Sequence, residues 1–393
     1  MSKVSLRYVL DKIANTRKSL ASKVNLGKCL SDPHSKRKPR PCGITVHVAQ
    51  GCSNSCLYCY IQDMGFSFRR VNEYPLNGLE ISTALIYNDF FVPTIHGTYI
   101  AIGSVCEPFL TRRISSKTVD YISNFAKYLG NPIQFSTKMH ISEDIISKMK
   151  EYRKILSPLI TIVTFKWSSI LEPRASPPET RLETIKNLSK NGFKVFLFLR
   201  PLIPGVTDVE AEDIMKEVKR NGCVGVVIGG FRVTTSILER LKHAGINIKP
   251  IVKRLKGKPS KAQKSIYLAD VKRELLEIAR EKGLIAVKSA CCALTSVLNL
   301  NGFKIPCYSQ CFRGTMCVGE RYCPSRCYSK IPQLDVDEME GAIYEHFNIK
   351  VKVEFNDRDV IKIKLENSCS EHIVRRLSTL LTTLYRRHVV VKR

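Results

Sequence analysis

The chain has 393 residues, 44% hydrophobic and 25% charged, a balance that suits a globular catalytic domain with an appendage and excludes disordered and membrane-spanning classes. Lys and Arg outnumber Asp and Glu 63 to 35, and the resulting +28 draws phosphates, so nucleic acid is the leading partner, with a generically basic surface as the plainer account. With no apolar leader core at its start and no uninterrupted run of about 20 apolar residues, the chain reads as cytoplasmic, and its 15 cysteines as reduced thiols and metal ligands rather than disulfides.

Residues 1–41 read as a polar, basic extension that ends in Lys36-Arg37-Lys38-Pro39-Arg40. From Ile44 onward, short β-rich runs alternate with helical segments, the pattern of βα units around a parallel sheet. Six strands are expected: Ile44–Ala49, Thr98–Gly103, Ile133–Ser136, Leu159–Phe165, Lys194–Leu199 and Val224–Ile228. Between the fourth and fifth, Ser176-Pro177-Pro178-Glu179 predicts a capping box with proline in the first turn, and Gly192 predicts the stop. Further helices are expected over 231–285, around a Lys-rich stretch from Lys253 to Lys264. A Cys-rich segment follows, Cys291 to Cys327. The tail shows strands at Ile349–Phe355 and Val360–Leu365, a helix near Glu371–Arg387, and a last strand at His388–Val391. Six βα units fit a partial (β/α)6 barrel, whose chemistry sits at the C-terminal ends of the strands.

The sharpest motif follows the first strand: Gly51-Cys52-Ser53-Asn54-Ser55-Cys56-Leu57-Tyr58-Cys59-Tyr60. Three thiolates spaced C-x3-C-x2-C can hold three irons of a [4Fe–4S] cubane and leave the fourth without a protein ligand. That open iron can be chelated by a methionine amino and carboxylate group, so that one electron splits a nearby sulfonium. A zinc site completed by a fourth ligand from elsewhere is the alternative that spacing alone leaves standing.

The loop and its setting resemble the radical S-adenosylmethionine (SAM) superfamily, and the rest of residues 41–230 resembles its spore photoproduct lyase-like branch. The stretches that carry the resemblance are Gly103-Ser104-Val105-Cys106-Glu107-Pro108, Ser136-Thr137-Lys138, Glu172-Pro173-Arg174-Ala175-Ser176-Pro177 through Arg181-Leu182-Glu183, and Arg200-Pro201-Leu202-Ile203-Pro204-Gly205-Val206-Thr207-Asp208. The resemblance implies cleavage of SAM at a [4Fe–4S] cluster to give a 5′-deoxyadenosyl radical, and an electron donor such as ferredoxin or flavodoxin. It places Cys52, Cys56 and Cys59 on the cluster and Tyr58 beside the cofactor. It also sets Ser104 and Glu107 toward the methionine ammonium, Lys138 toward its carboxylate, and Thr164 near its ribose or carboxylate. The cysteine that returns a hydrogen atom in the lyase aligns with Ser104; Cys106, two residues on, would share its face if the segment were extended, and Tyr60 matches a tyrosine that relays the hydrogen. The changed donor position puts thymine-dimer repair itself in doubt.

Downstream, Cys291, Cys292, Cys307, Cys311, Cys317, Cys323 and Cys327 crowd into 37 positions. Cys307 with Cys311 and Cys323 with Cys327, supplemented by Cys292 or Cys317, are expected to clamp a second [4Fe–4S] cluster or zinc. Arg313, Arg321, Arg326 and Lys330 interleave there with Tyr308, Phe312, Tyr322 and Tyr328, a mix suited to phosphates and stacked bases. The expected organisation is a basic extension (1–41), a radical SAM core barrel with its following helices (42–285), a Cys-rich metal-binding segment (286–334) and a small α/β appendage (335–393). Three functions compete. They are a radical SAM enzyme that modifies or repairs a base in tRNA or DNA, a radical SAM maturase acting on a peptide or small molecule through an auxiliary cluster, and a non-catalytic zinc-dependent nucleic-acid binding protein.

Overall fold

Strands that alternate with helical crossovers must run parallel, because each crossover returns the chain to the same end of the sheet. The computed structural model describes residues 4–40, 43–68, 70–307, 331–356 and 360–392. It contains one sheet of seven strands in sequential order, each parallel to its neighbour: β1 (Ile44–Val46), β2 (Ile100–Ile102), β3 (Ile133–Thr137), β4 (Leu156–Ile160), β5 (Phe196–Leu199), β6 (Gly225–Ile228) and β7 (Ile285–Val287). The helices that matter below are α1 (Leu6–Ala21), α2 (Gly78–Tyr87), α3 (Arg112–Asn124), α4 (Glu143–Met149), α5 (Pro178–Lys190), α6 (Thr207–Arg220), α7 (Thr235–His243), α8 (Ala269–Glu281), α9 (Ala290–Leu300), α10 (Val336–Phe347) and α11 (Glu371–Tyr385).

All six expected strands form, and β7 is an addition: three residues pairing with Gly225–Val227, beginning where the stretch read as helical ends, at residue 285. The fourth strand lies earlier than expected. Pro158 pairs within it opposite Phe135, and residues 161–164 leave the ladder as a buried loop. Helix α5 begins at Pro178 with proline in its first turn, but no capping box closes, since the Ser176 hydroxyl accepts the His140 N–H at 2.8 Å instead. Gly192, at φ +84°, does end that helix.

Alternation along the strands assigns the two faces of the sheet. Leu156, Ile160, Leu197, Leu199, Val226 and Ile228 join the large core shared with the crossover helices. Their alternates Leu159, Phe196, Val227 and Val287 instead pack against Ala293 and Val297 of α9. Helix α9 therefore lies on the inward face of the curved sheet, where Tyr99 bonds Thr295 across 2.9 Å and Asn301 reaches the carbonyls of Arg153 and Lys154 at the foot of β4.

The basic extension is largely structured. Ser5 caps α1, and Leu6, Val9, Leu10, Ile13 and Leu20 recur at helical spacing on its buried face. Five such side chains, each stabilising by about 1.5–3 kcal/mol when buried, hold the helix down. The segment after it covers the free edge of β1, because His34 and Arg37 both reach the Thr45 carbonyl. The C-terminal sheet has β8 (Val351–Asn356) antiparallel to β9 (Val360–Leu365), which is parallel to β10 (His388–Lys392), close to the expected pattern with α10 added in front. It docks through Arg7, bidentate on Glu345, and through Asp89, which gathers Arg17, His372 and Arg376.

Candidate metal centre

The cysteine loop leaves β1 between the strand pair Ala49–Gln50 and Asn72–Glu73. Gly51, at φ +90°, admits no Cβ, which would overlap the carbonyl oxygens of Ser67 and Arg70. Cys56 is buried, Cys52 and Cys59 partly so, and all three are free thiols. Backbone N–H groups of Asn54 and Ile61 point at the Cys52 and Cys59 sulfurs. Burial pushes the Cys52 thiol up to about 12 and raises Cys56 and Cys59 as well, against the pull of Lys138. Thiols that burial keeps protonated, with N–H donors aimed at two of them, fit a group that brings its own positive charge. Among the described residues, no three His, Cys, Asp or Glu side chains gather closely enough to hold one metal ion.

Around the loop stand most of the residues the sequence singled out. Lys138 lies 5.7 Å above the Tyr58 ring, and its pKa, which burial alone would lower, is raised by Cys56, Glu172, Cys59 and Glu107. Glu107 is buried, and burial raises its pKa although Thr137 donates to it and the N–H groups of Lys138 and Phe109 lie at 3.0 and 3.3 Å; the Thr137 and Lys138 bonds tie the loop after β2 to the end of β3. The Tyr60 hydroxyl comes within 3.4 Å of the Ser104 carbonyl. The segment 104–106 is a bend, not a strand, so Ser104 is exposed while Cys106 is buried against the Val48 and Ala49 amides. The two do not share a face. Thr164 stands apart: its hydroxyl donates to Glu210 at 2.5 Å and accepts the Trp167 N–H at 3.1 Å.

Three further side chains shape the loop without having been given a role by the sequence. The Tyr58 hydroxyl donates to Glu172, which pairs with Arg181 at 2.5 Å, both side chains fully buried. Arg181 also donates to the carbonyls of Ser176 and Thr161. Arg240, on α7, donates to the carbonyls of Leu57 at 2.9 Å and Cys59 at 3.1 Å. Glu172 and Arg181 stood inside the stretches that carried the resemblance; Arg240 gave no local signal.

Residues 46–218 match the family model described as the radical SAM superfamily. The chain carries a radical SAM domain and is an enzyme. An uncharacterized protein, ORF301 of Acidianus two-tailed virus, is 26% identical over 215 residues, 51% of this chain and 67% of its own length. Among solved structures, a spore photoproduct lyase variant superposes with a TM-score of 0.52 at 17% identity, covering 63% of this chain and 75% of that one. Another, with bound AdoMet and dinucleoside spore photoproduct, gives 0.52 at 16%, covering 64% and 77%. At such identities these likenesses speak for the fold.

A radical SAM domain implies a [4Fe–4S] cluster and S-adenosylmethionine, and the loop of Cys52, Cys56 and Cys59 is where this chain can hold them. The reading as a zinc protein without catalysis gives way to that domain. Farther along, Cys292 contacts the thiols of Cys291 and Cys307, and the Ser289 hydroxyl lies 3.1 and 3.0 Å from the Cys291 and Cys292 sulfurs in the first turn of α9. Cys311, Cys317, Cys323 and Cys327 lie outside the described residues. No helix among the described residues is long and apolar enough to cross a membrane.

Proposed function

We propose that this radical SAM enzyme modifies or repairs a base in a nucleic acid, tRNA or DNA. The observation that carries the reading is the insertion after β6. Residues 229–268 hold ten Lys and Arg (Arg232 to Lys264) against one acid, Glu239. The insertion leaves the C-terminal end of β6 and is fastened to the cysteine loop by Arg240 and by Thr234, whose hydroxyl donates to Asp63 at 3.0 Å. Arg232, Lys242, Lys249, Lys253, Lys256, Lys258 and Lys261 are exposed on this fastened segment, which supports phosphate contacts of the kind needed if a single base is to enter.

In this reading Cys52, Cys56 and Cys59 hold the cluster, which when bound supplies one electron to the SAM sulfonium. Glu107 and Lys138 face the ammonium and carboxylate of the methionine part, opposite charges for opposite ends. Tyr58 keeps the loop packed. Tyr60, beside Ser104, stands where a hydroxyl can pass a hydrogen atom, and Cys106, beneath the loop, is the nearby thiol. The electron comes from an acidic carrier such as ferredoxin or flavodoxin, which a +28 surface attracts.

The contact of Cys291, Cys292 and Cys307 favours a second reading, a maturase acting on a peptide or small molecule through an auxiliary thiolate site, a cluster or zinc. One comparison separates the two. Nucleosides from cells with and without the gene should differ in one modified base, and binding to tRNA or DNA should weaken steeply with salt; identical nucleosides together with salt-insensitive failure to bind would refute the nucleic-acid reading.

A further inference from the structure

We propose that Arg240 is a positioning residue for the cluster: a cation on α7 that holds the turn between Cys56 and Cys59 closed and sets how readily the cluster accepts an electron. The inference rests on the cysteine loop holding the cluster and needs no nucleic acid.

Arg240 is partly buried, and its guanidinium serves three acceptors on the loop at once: the Leu57 carbonyl from Nε (2.9 Å), the Cys59 carbonyl from Nη2 (3.1 Å) and the Gln62 Oε1 from Nη1 (3.3 Å). The two carbonyls flank Tyr58, so a rigid planar fork fixes the backbone on both sides of it, and with it the direction in which the Cys59 sulfur leaves the chain. On the opposite side the Leu57 N–H donates to the Leu171 carbonyl at 2.9 Å, so the turn is gripped from both sides. Helix α7 does not slide, because Thr234 at its N-cap is bonded to Asp63 just past the loop.

Charge gives the second half of the proposal. Near the loop, the fully buried Glu172 is matched by Arg181. Glu107 faces Lys138, and Asp63 faces Arg240. A guanidinium is charged at every accessible pH, so Arg240 remains positive whichever oxidation state the cluster holds. A fixed cation stabilises the more negative, reduced state more than the oxidised one, and cluster potentials follow local charge and hydrogen bonding. Lys138 is a second cation near Cys56 and Cys59, but it lies over the Tyr58 ring, whereas the Leu57 and Cys59 carbonyls that close the turn are held by Arg240.

The test is an EPR-monitored redox titration of the full chain, reconstituted without oxygen and without SAM, as wild type, Arg240→Gln and Arg240→Lys, with iron and sulfide counted per chain. At a fixed solution potential Arg240→Gln should show an about tenfold lower ratio of reduced to oxidised cluster, a fall of about 59 mV for a one-electron couple. Arg240→Lys, which keeps the charge and loses the fork, should stay within about twofold of wild type in the fraction reduced and hold less iron at an unchanged melting temperature. Arg240→Met is read as Arg240→Gln is, should glutamine melt early. Equal reduction of wild type and both neutral variants overturns the proposal, and so does a shift in Arg240→Lys as large as in Arg240→Gln. Wild type that takes up no iron would instead defeat the cluster assignment itself, a separate outcome.

Discussion

Replacing Arg181 by Met tests whether a buried ion pair braces the cysteine loop. Both side chains of the Glu172–Arg181 pair are fully buried, so the substitution strands a carboxylate where water cannot reach it. Removing one partner of such a pair costs about 3–5 kcal/mol, and the carbonyls of Ser176 and Thr161 lose their donors too. A total of about 4 kcal/mol, at roughly 2–4 °C per kcal/mol for a domain of 150–250 residues, should lower the melting temperature by about 8–16 °C. The Tyr58 hydroxyl donates to the same carboxylate, so the damage should reach the loop and lower iron per chain after reconstitution. Differential scanning calorimetry under nitrogen measures the first effect and iron analysis the second. The double variant Arg181→Met with Glu172→Gln removes both charges and should regain much of the loss, a non-additivity that identifies a pair. If Arg181→Met melts within about 2 °C of wild type, or the double variant loses the sum of the singles, the pair is not holding this loop.

Alanine at Cys52, Cys56 or Cys59 should each abolish the broad iron–sulfur absorption assigned to this loop and the release of 5′-deoxyadenosine on reduction; undiminished release from any one of them would refute the ligand assignment. Changing Lys256, Lys258 and Lys261 together to Ala should reduce the slope of log K against log salt by up to about 0.9 per phosphate contact on a duplex, with the iron content untouched, as measured by anisotropy with labelled oligonucleotides. Acid should destabilise the fold through His47 and His96, both lowered to about 4, chiefly by burial. Each binds its proton more tightly unfolded than folded, so its contribution is complete above the unfolded value near 6.5 and is lost as pH falls toward 4, at up to about 1.4 kcal/mol per pH unit. Urea melts between pH 7 and 4 should therefore be less steep in pH for a His47→Asn, His96→Asn double variant than for wild type.

Much of the barrel was legible because period-two apolar runs and glycine stops are local signals. The six strands and the C-terminal βαβ pattern needed nothing beyond their own windows. What escaped depended on distant partners. Strand β7 is three residues long and becomes a strand only by pairing with β6, and α1 looks like a basic tail until its five apolar side chains meet α2 and α10. Ser176 has the right residue type for a cap, but His140 claims its hydroxyl. At the centre, the cysteine spacing by itself pointed to the loop after β1. Arg240 lies far along the chain and looks like any other helical arginine until the fold places it over two carbonyls. Thr164 shows the same dependence on distant partners, since its hydroxyl donates to Glu210, 46 residues along the chain.

Helix α9 has a consequence for traffic through the enzyme. By occupying the inward face of the sheet against Leu159, Phe196 and Val227, it takes up interior room that a long polymer would need to thread through. If a nucleic acid is the guest, its target nucleotide must swing out and enter alone from the rim while both neighbours stay outside, and the energy of that eversion has to come from contacts beyond the one base that reacts.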